Sequence, residues 1–186
     1  MNIYVSRFLR SFTCENVISL FSRYNRVEKE ISESWAMLEA AKRFCQDVNN
    51  CLVIVIGDGA SPRTGAIFAY YSRADVISVD PGFNMSHWLE HFQKQTLMGF
   101  TPQRLRVVPK KIEDEPIDCC GKPCIVIWPH SHAKMGTEKI SGYSSRMDIA
   151  MPCCVPIPSR WMQKEHIVFD DVCVLSPKRT IHVWRD

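Results

Sequence analysis

The run CLVIVIG, residues 51 to 57, constrains this chain more than any other stretch. It is apolar throughout and rich in β-branched residues, the pattern of a strand covered on both faces, as in a parallel sheet with helices on each side. Such a sheet is wound from alternating strands and helices, because parallel neighbours need a crossover between them. The next residues, GDGASPRTG at 57 to 65, turn sharply. Gly57 and Gly59 let the backbone turn tightly and approach a ligand, and a helix predicted over Thr64 to Tyr71 presents free amide groups there. Strand, glycine turn and helix together form a cradle for a nucleotide-like ligand.

The rest of the chain extends this plan. Residues 28 to 47 carry Ile31, Trp35, Leu38 and Cys45 at helical spacing, with acids early and Lys42 and Arg43 late, so both period and dipole predict a helix. DVISVDPG reads as a second strand ending at Asp80, followed by a helix from about Ser86, its expected cap, through Trp88, Leu89 and Phe92. RLRVVPK is a third strand, and Pro109 near its end suits a sheet edge. CIVIWPHSHA is a fourth strand, a polar helical segment is expected over Met135 to Ser145, and MDIAMPCCVPI is a fifth strand. Residues 166 to 186 read as two strands joined at Ser176 to Arg179, a closing hairpin. The expected fold is a single α/β domain over residues 1–186, with an N-terminal helical region at 1–50 and a Rossmann-like core at 51–186. Its architecture is a three-layer sandwich around a mostly parallel sheet of roughly seven strands with a C-terminal antiparallel hairpin.

Composition narrows the setting. Nine cysteines include the adjacent pairs Cys119-Cys120 and Cys153-Cys154, with Cys124 nearby. Adjacent side chains on an extended chain point to opposite sides, so these read as reduced thiols acting as small core hydrophobes, and no metal is expected. No stretch approaches the uninterrupted apolar length of a membrane span. The N-terminus lacks an apolar signal core and a small-residue cleavage site, so an intracellular, cytoplasmic protein without membrane association is expected.

Three details sharpen the glycine turn. Its preceding strand is apolar throughout, Pro62 fits the first turn of the helix, and Asp80 closes the next strand 23 residues after Gly57. An acid at that place can accept hydrogen bonds from both hydroxyls of a ribose. A dinucleotide fold calls for glycine or alanine where Pro62 stands, and no Gly-Lys-Ser/Thr follows to make a phosphate-binding Walker loop.

The order of strand, Gly-x-Gly, helix and acid-ended strand, within a seven-stranded plan that closes in a hairpin, resembles the class I S-adenosylmethionine-dependent methyltransferases. The likeness spans residues 28 to 186. It implies that Gly57, Asp58 and Gly59 hold the methionine portion of S-adenosylmethionine, that Asp80 holds its ribose, and that the adenine lies near Ile112 and Glu113. Ser61, Arg63 and Thr64 add donors at the helix start, and Trp128 and Pro129 stand where the fourth strand would meet the cofactor. The chain departs from the family at Val55, where an acid is usual, and at Ser61, where a third glycine is usual.

The reacting group in such sheets lies beyond the fourth strand, here at Trp128, Pro129, His130, Ser131 and His132. Amino-group methyltransferases carry Asp or Asn, Pro, Pro and an aromatic residue there, and this chain keeps a single proline of that pattern. The Lys-Asp-Lys-Glu set of ribose-methylating families is not matched either. His130 and His132 are the candidate catalytic residues, since a histidine can act as base toward a hydroxyl or amine. Ser131 lacks the strained glycine elbow of hydrolase nucleophiles. The leading reading is methyl transfer to an oxygen or nitrogen of an acceptor that is small or is supplied by a protein or nucleic-acid partner. Two alternatives stay open: a binding protein that kept the fold without the reaction, and a nucleotide or phosphate binder using the Ser-Pro-Arg-Thr helix start.

Overall fold

The computed structural model describes residues 1–22, 25–97, 104–152 and 154–186. Helices α1 (Ile3–Leu9), α2 (Cys14–Val17) and α3 (Val27–Phe44) come first, before β1 (Leu52–Ile56), α4 (Arg63–Tyr71), β2 (Asp75–Val79), α5 (Met85–Leu97) and β3 (Leu105–Val108). The second half holds β4 (Ile117–Asp118), β5 (Cys124–Pro129), β6 (Ile140–Ser141), β7 (Arg146–Met151), α6 (Ser159–Met162), β8 (Ile167–Asp170) and β9 (Thr180–Arg185).

Among the described residues, seven strands form the main sheet in the order β3-β2-β1-β5-β7-β9-β8, and β4 and β6 make a separate two-stranded ladder. β9 runs antiparallel to both β7 and β8, while the other neighbours in the main sheet are parallel. The mostly parallel sheet with its terminal antiparallel pairing is the architecture that the sequence predicts, and β3 sits at the predicted edge. From β1 the chain winds outward through β2 to β3, then returns to β5 on the other side of β1. Val55 is thus flanked by Ser78 and Ile127. This reversal opens a crevice at the carboxyl ends of β1, β2 and β5, where sheets of this kind bind ligands.

Side-chain alternation divides the core into two layers. Val53, Val55, Ile125 and Ile127 face α1, α3 and α4, where Phe8, Phe21, Trp35 and Ile67 are packed. Phe8 meets Phe21 edge-on at 5.7 Å between centroids, and Trp35 meets Tyr71 at 4.7 Å. Each fully buried aromatic contributes about 2 to 3 kcal/mol over its exposed state. Leu52, Ile54, Ile56, Val126 and Trp128 face the other way, toward Ile112, Trp161 and Trp184. This second layer is built of short pieces: α6, a single turn at 112–114 and the β4–β6 ladder. Trp184 ties it together by donating from Nε1 to the Trp161 carbonyl at 3.0 Å.

Three local expectations change. The segment from Met135 to Ser145 is not helical, because its backbone is drawn into the ladder: Ile117 donates to the Lys139 carbonyl at 2.9 Å and Cys119 to that of Ser141 at 2.8 Å. Asn84, not Ser86, caps α5, accepting from the His87 amide at 3.1 Å, which moves the cap two residues earlier than predicted. α3 ends at Phe44 because Asp47 caps a tight turn at 48–50 through the Asn49 amide. Among the described cysteines, Cys51, Cys119 and Cys124 are buried while Cys120 and Cys154 are exposed; Cys153 lies outside the described residues. No helix among the described residues is long and apolar enough to cross a membrane.

Candidate functional site

At the crevice lies a cavity of about 730 Å³ lined by Gly57, Gly59, Arg63, Asp80, Ile112, Glu113, Pro129, His130 and His132, among others. The sheet brings these residues together because each lies at or beyond the carboxyl end of β1, β2, β3 or β5. Gly57 and Gly59 take φ of +80° and +82°, so the turn needs residues without a side chain. Asp80 reaches across from β2: Oδ2 accepts from the Gly59 amide at 2.9 Å and Oδ1 from the Gly82 amide at 2.6 Å. These bonds fix a half-buried carboxylate in the cavity wall, and each oxygen keeps a further lone pair for a ligand.

Asp58 turns the other way. It is buried, and its carboxylate accepts from the amides of Thr64 at 2.9 Å and Gly65 at 2.8 Å and from Ser78 Oγ at 2.8 Å. The first turn of α4 is therefore capped from within the chain. Burial pushes the Asp58 carboxyl up, and nearby Arg63 with these three bonds opposes that rise without cancelling it. Thr64 is buried, with its hydroxyl 3.0 Å from Ser34 Oγ on α3. Arg63 would oppose the helix dipole if left to itself. Here it pairs with Glu30 of α3 and donates to the Asp58 carbonyl at 3.1 Å. Ser61 is buried and donates to the Leu20 carbonyl at 3.1 Å, outside the large cavity.

Trp128 also stands outside it. Alternation along β5 turns its ring into the second core layer, where Nε1 donates to Asp148 Oδ1 at 3.1 Å. The neighbouring Pro129 and His130 do face the cavity.

His130 has φ of +52°, uncommon for a residue with a side chain and costly enough that the surroundings must enforce it. Its amide donates to the Met151 carbonyl at 3.0 Å. Its Nε2 lies 2.8 Å from Oε1 of Glu33, on α3. Glu33 is buried, and Lys29 donates to its Oε2 at 3.1 Å. Burial works to raise the Glu33 carboxyl, but His130 and Lys29 outweigh it and hold the group below its ordinary range. His132 is exposed, with Nε2 3.1 Å from the Cys154 thiol.

A second cavity of about 440 Å³ shares Arg63, Pro129, His130 and His132 with the first and extends past Arg26, Lys29, Glu33 and Lys178. Its α3 wall was not legible in the sequence. Glu33 reads there as one acid of an amphipathic helix, and the four-residue step from Lys29 is the single local sign that it has a partner. Among the described residues, no group of three or more His, Cys, Asp and Glu side chains converges as metal ligands would.

No protein-family model and no curated protein sequence matches the chain. Solved structures do. A mutant of MtNAS, in complex with S-adenosylmethionine, superposes with a TM-score of 0.52 at 10% identity, over 97% of this chain and 69% of that one. The pyocyanin biosynthetic protein PhzM gives 0.49 at 12% identity, over 97% of this chain and 60% of its own. An S-adenosylmethionine-dependent O-methyltransferase from Thermotoga maritima gives 0.43 at 9% identity, over 80% and 63%. The chain thus spans a little over two thirds of the first of these and less of the others. The strand order and the first of these likenesses define the fold as that of the class I S-adenosylmethionine-dependent methyltransferases.

Proposed function

We propose that this chain binds S-adenosylmethionine in the larger cavity and transfers its methyl group to an oxygen or nitrogen atom. The observation that carries this reading is the pairing of Asp80 with the glycine turn: a half-buried carboxylate bonded to Gly59 in the wall of a ligand-sized cavity. The residues present fit the cofactor. A cavity of about 730 Å³ has room for it. A Cβ at position 57 would enter the space of Ser131, so the glycine keeps this turn open. Asp80 has lone pairs for the two ribose hydroxyls, while Glu113 and Ile112 flank the place for the adenine.

When bound, S-adenosylmethionine supplies an electrophilic methyl carbon on a sulfonium. The chain's own contribution is mainly alignment. Gly57 and Gly59 allow close backbone approach, Asp80 fixes the ribose, and Pro129 and His130 close the cavity toward the second one, where an acceptor can be held in line. His130 and His132 stand at that junction as candidate bases. Methyl transfer from an activated donor needs no strong base, so the chain can act without the Asp-Pro-Pro or Lys-Asp-Lys-Glu sets.

The phosphate-binding alternative finds less support. The amides of Thr64 and Gly65 already serve Asp58, and Arg63 already serves Glu30, so the Ser-Pro-Arg-Thr helix start meets its own anions.

The test is incubation of the protein with tritium-labelled S-adenosylmethionine and cell extract. Label transferred beyond a heat-inactivated control supports the reaction. Tight binding with no transfer to any fraction would instead identify a binding protein that has kept the fold.

A further inference from the structure

We propose that Cys45 and Cys51 are a site of reversible oxidation, at which a low-molecular-mass disulfide such as glutathione disulfide converts the two thiols into a cross-link between α3 and β1. The site stands apart from the methyl-transfer reading and does not depend on it.

Local sequence brings the two thiols together. α3 ends at Phe44, with the Cys45 amide still donating to the Ala41 carbonyl at 2.8 Å. Asp47 then folds the chain back: its carboxylate accepts from the Asn49 amide at 3.0 Å and from Asn50 Nδ2 at 2.6 Å. The Cys51 amide donates to the Val48 carbonyl at 3.2 Å, and β1 starts at the next residue. This tight return leaves the two Sγ atoms 3.6 Å apart, in contact but unbonded. A shift of roughly 1.5 Å closes that gap to a disulfide bond.

Exposure sets the order of attack. Cys45 is half-buried and lies in the wall of a cavity of about 390 Å³ at the amino-terminal edge of β1 and β5, the edge opposite the cofactor crevice. Cys51 is only 3% exposed, and its thiol donates to the Asp47 carbonyl at 3.3 Å. Burial first, then Cys45 and Asp47 beside it, push the Cys51 thiol above its ordinary value, which makes it the poorer first nucleophile. Cys119 and Cys124 also share a hydrogen bond, but both are buried, and neither offers an exposed sulfur to start an exchange.

The exchange takes two steps. The Cys45 thiolate attacks one sulfur of glutathione disulfide, forming a mixed disulfide as the sulfur–sulfur bond of the oxidant breaks and one glutathione leaves. The Cys51 sulfur then attacks Cys45 Sγ and releases the second glutathione. The thiol protons of Cys45 and Cys51 end on the two glutathiones, so one molecule of oxidant is reduced for each cross-link formed. α3 carries Glu30, the partner of Arg63, and β1 leads directly into the glycine turn. The cross-link thus pins together two elements that frame the crevice.

The experiment uses the folded chain. It is incubated with glutathione disulfide, its remaining thiols are blocked with iodoacetamide in urea, and it is digested with trypsin without reduction. Cleavage after Arg43 and Arg63 leaves Cys45 and Cys51 in one peptide, residues 44 to 63, which holds no other cysteine. That peptide should be two hydrogens lighter and unalkylated, and should take up two alkyl groups when dithiothreitol precedes the blocking. Cys51→Ser should stop at one glutathione on Cys45, whereas Cys45→Ser should leave Cys51 a thiol. The oxidised wild type should melt about 3 to 6 °C above the reduced protein, because a closed loop restrains the unfolded chain, and Cys45→Ser should show no such rise. A peptide that keeps two alkylatable thiols, or that carries a glutathione on each cysteine without a cross-link, overturns the proposal. An unchanged or lowered Tm in the cross-linked protein overturns the pinning of α3 to β1. The wild-type peptide decides the pairing even where a serine variant fails to fold.

Discussion

Gly57 and Ser131 meet where β1 and β5 end side by side: a Cβ on Gly57 would stand 2.8 Å from the Ser131 Cβ and 2.9 Å from its Cα. Gly57 also holds φ of +80°. Gly57→Ala therefore faces both a steric clash and a disfavoured backbone. We expect a loss of about 2 to 4 kcal/mol in urea unfolding and loss of cofactor binding, since the turn must move. Gly57→Ala with Ser131→Gly should recover part of the stability but not all, because the backbone clash and the positive φ persist. Full recovery would show that side-chain crowding alone demands glycine here.

Asp58 offers a different test, because its carboxylate holds the start of α4 and its function would be structural. Asp58→Ala leaves the Thr64 and Gly65 amides and the Ser78 hydroxyl without their acceptor in a buried place. The expected cost is about 3 kcal/mol by chemical denaturation. A change within experimental error would mean that water or another group replaces the carboxylate.

His91 gives the fold a pH dependence. It is buried on α5, with Nδ1 2.8 Å from Ser19 Oγ and its ring stacked on Trp88. Burial, helped by the positive charges of His87 and Lys94, lowers its pKa from the usual 6.5 to about 4. Between those values the unfolded chain takes up a proton that the folded chain refuses. This contribution to stability is thus complete above pH 6.5 and is lost progressively as the pH falls toward 4. Unfolding free energies should drop by about 2 kcal/mol between about pH 7 and about pH 5 from this group. In His91→Phe the slope over that interval should be shallower by that amount; an unchanged slope would assign the acid sensitivity to other residues.

The sequence carries the sheet more clearly than the site. β1 and β5 are legible because both faces of each are buried, which leaves unbroken apolar runs, and the glycine turn is legible because φ near +80° leaves few alternatives to glycine. Asp80 follows from its place at the end of β2. Asp58 and Trp128, by contrast, are one position away from residues that do face the cavity. Local spacing does not say that Asp58 folds back onto the helix it precedes, or that the alternation along β5 sends Trp128 into the second layer. Glu33 is further still from view. It meets His130 across 97 positions of sequence, a contact fixed by the packing of α3 over β5 and not by either local pattern.

The proposed function rests on Asp80 and the glycine turn holding S-adenosylmethionine. Calorimetric titration of the wild type and of Asp80→Ala with S-adenosylmethionine, S-adenosylhomocysteine and NAD tests it most directly. The wild type should bind the first two and not NAD, and Asp80→Ala should bind them roughly a hundredfold more weakly, as expected for losing charged hydrogen bonds to two hydroxyls. A folded wild type that binds neither S-adenosylmethionine nor its demethylated product, or an Asp80→Ala variant that binds both as tightly as the wild type, would contradict it.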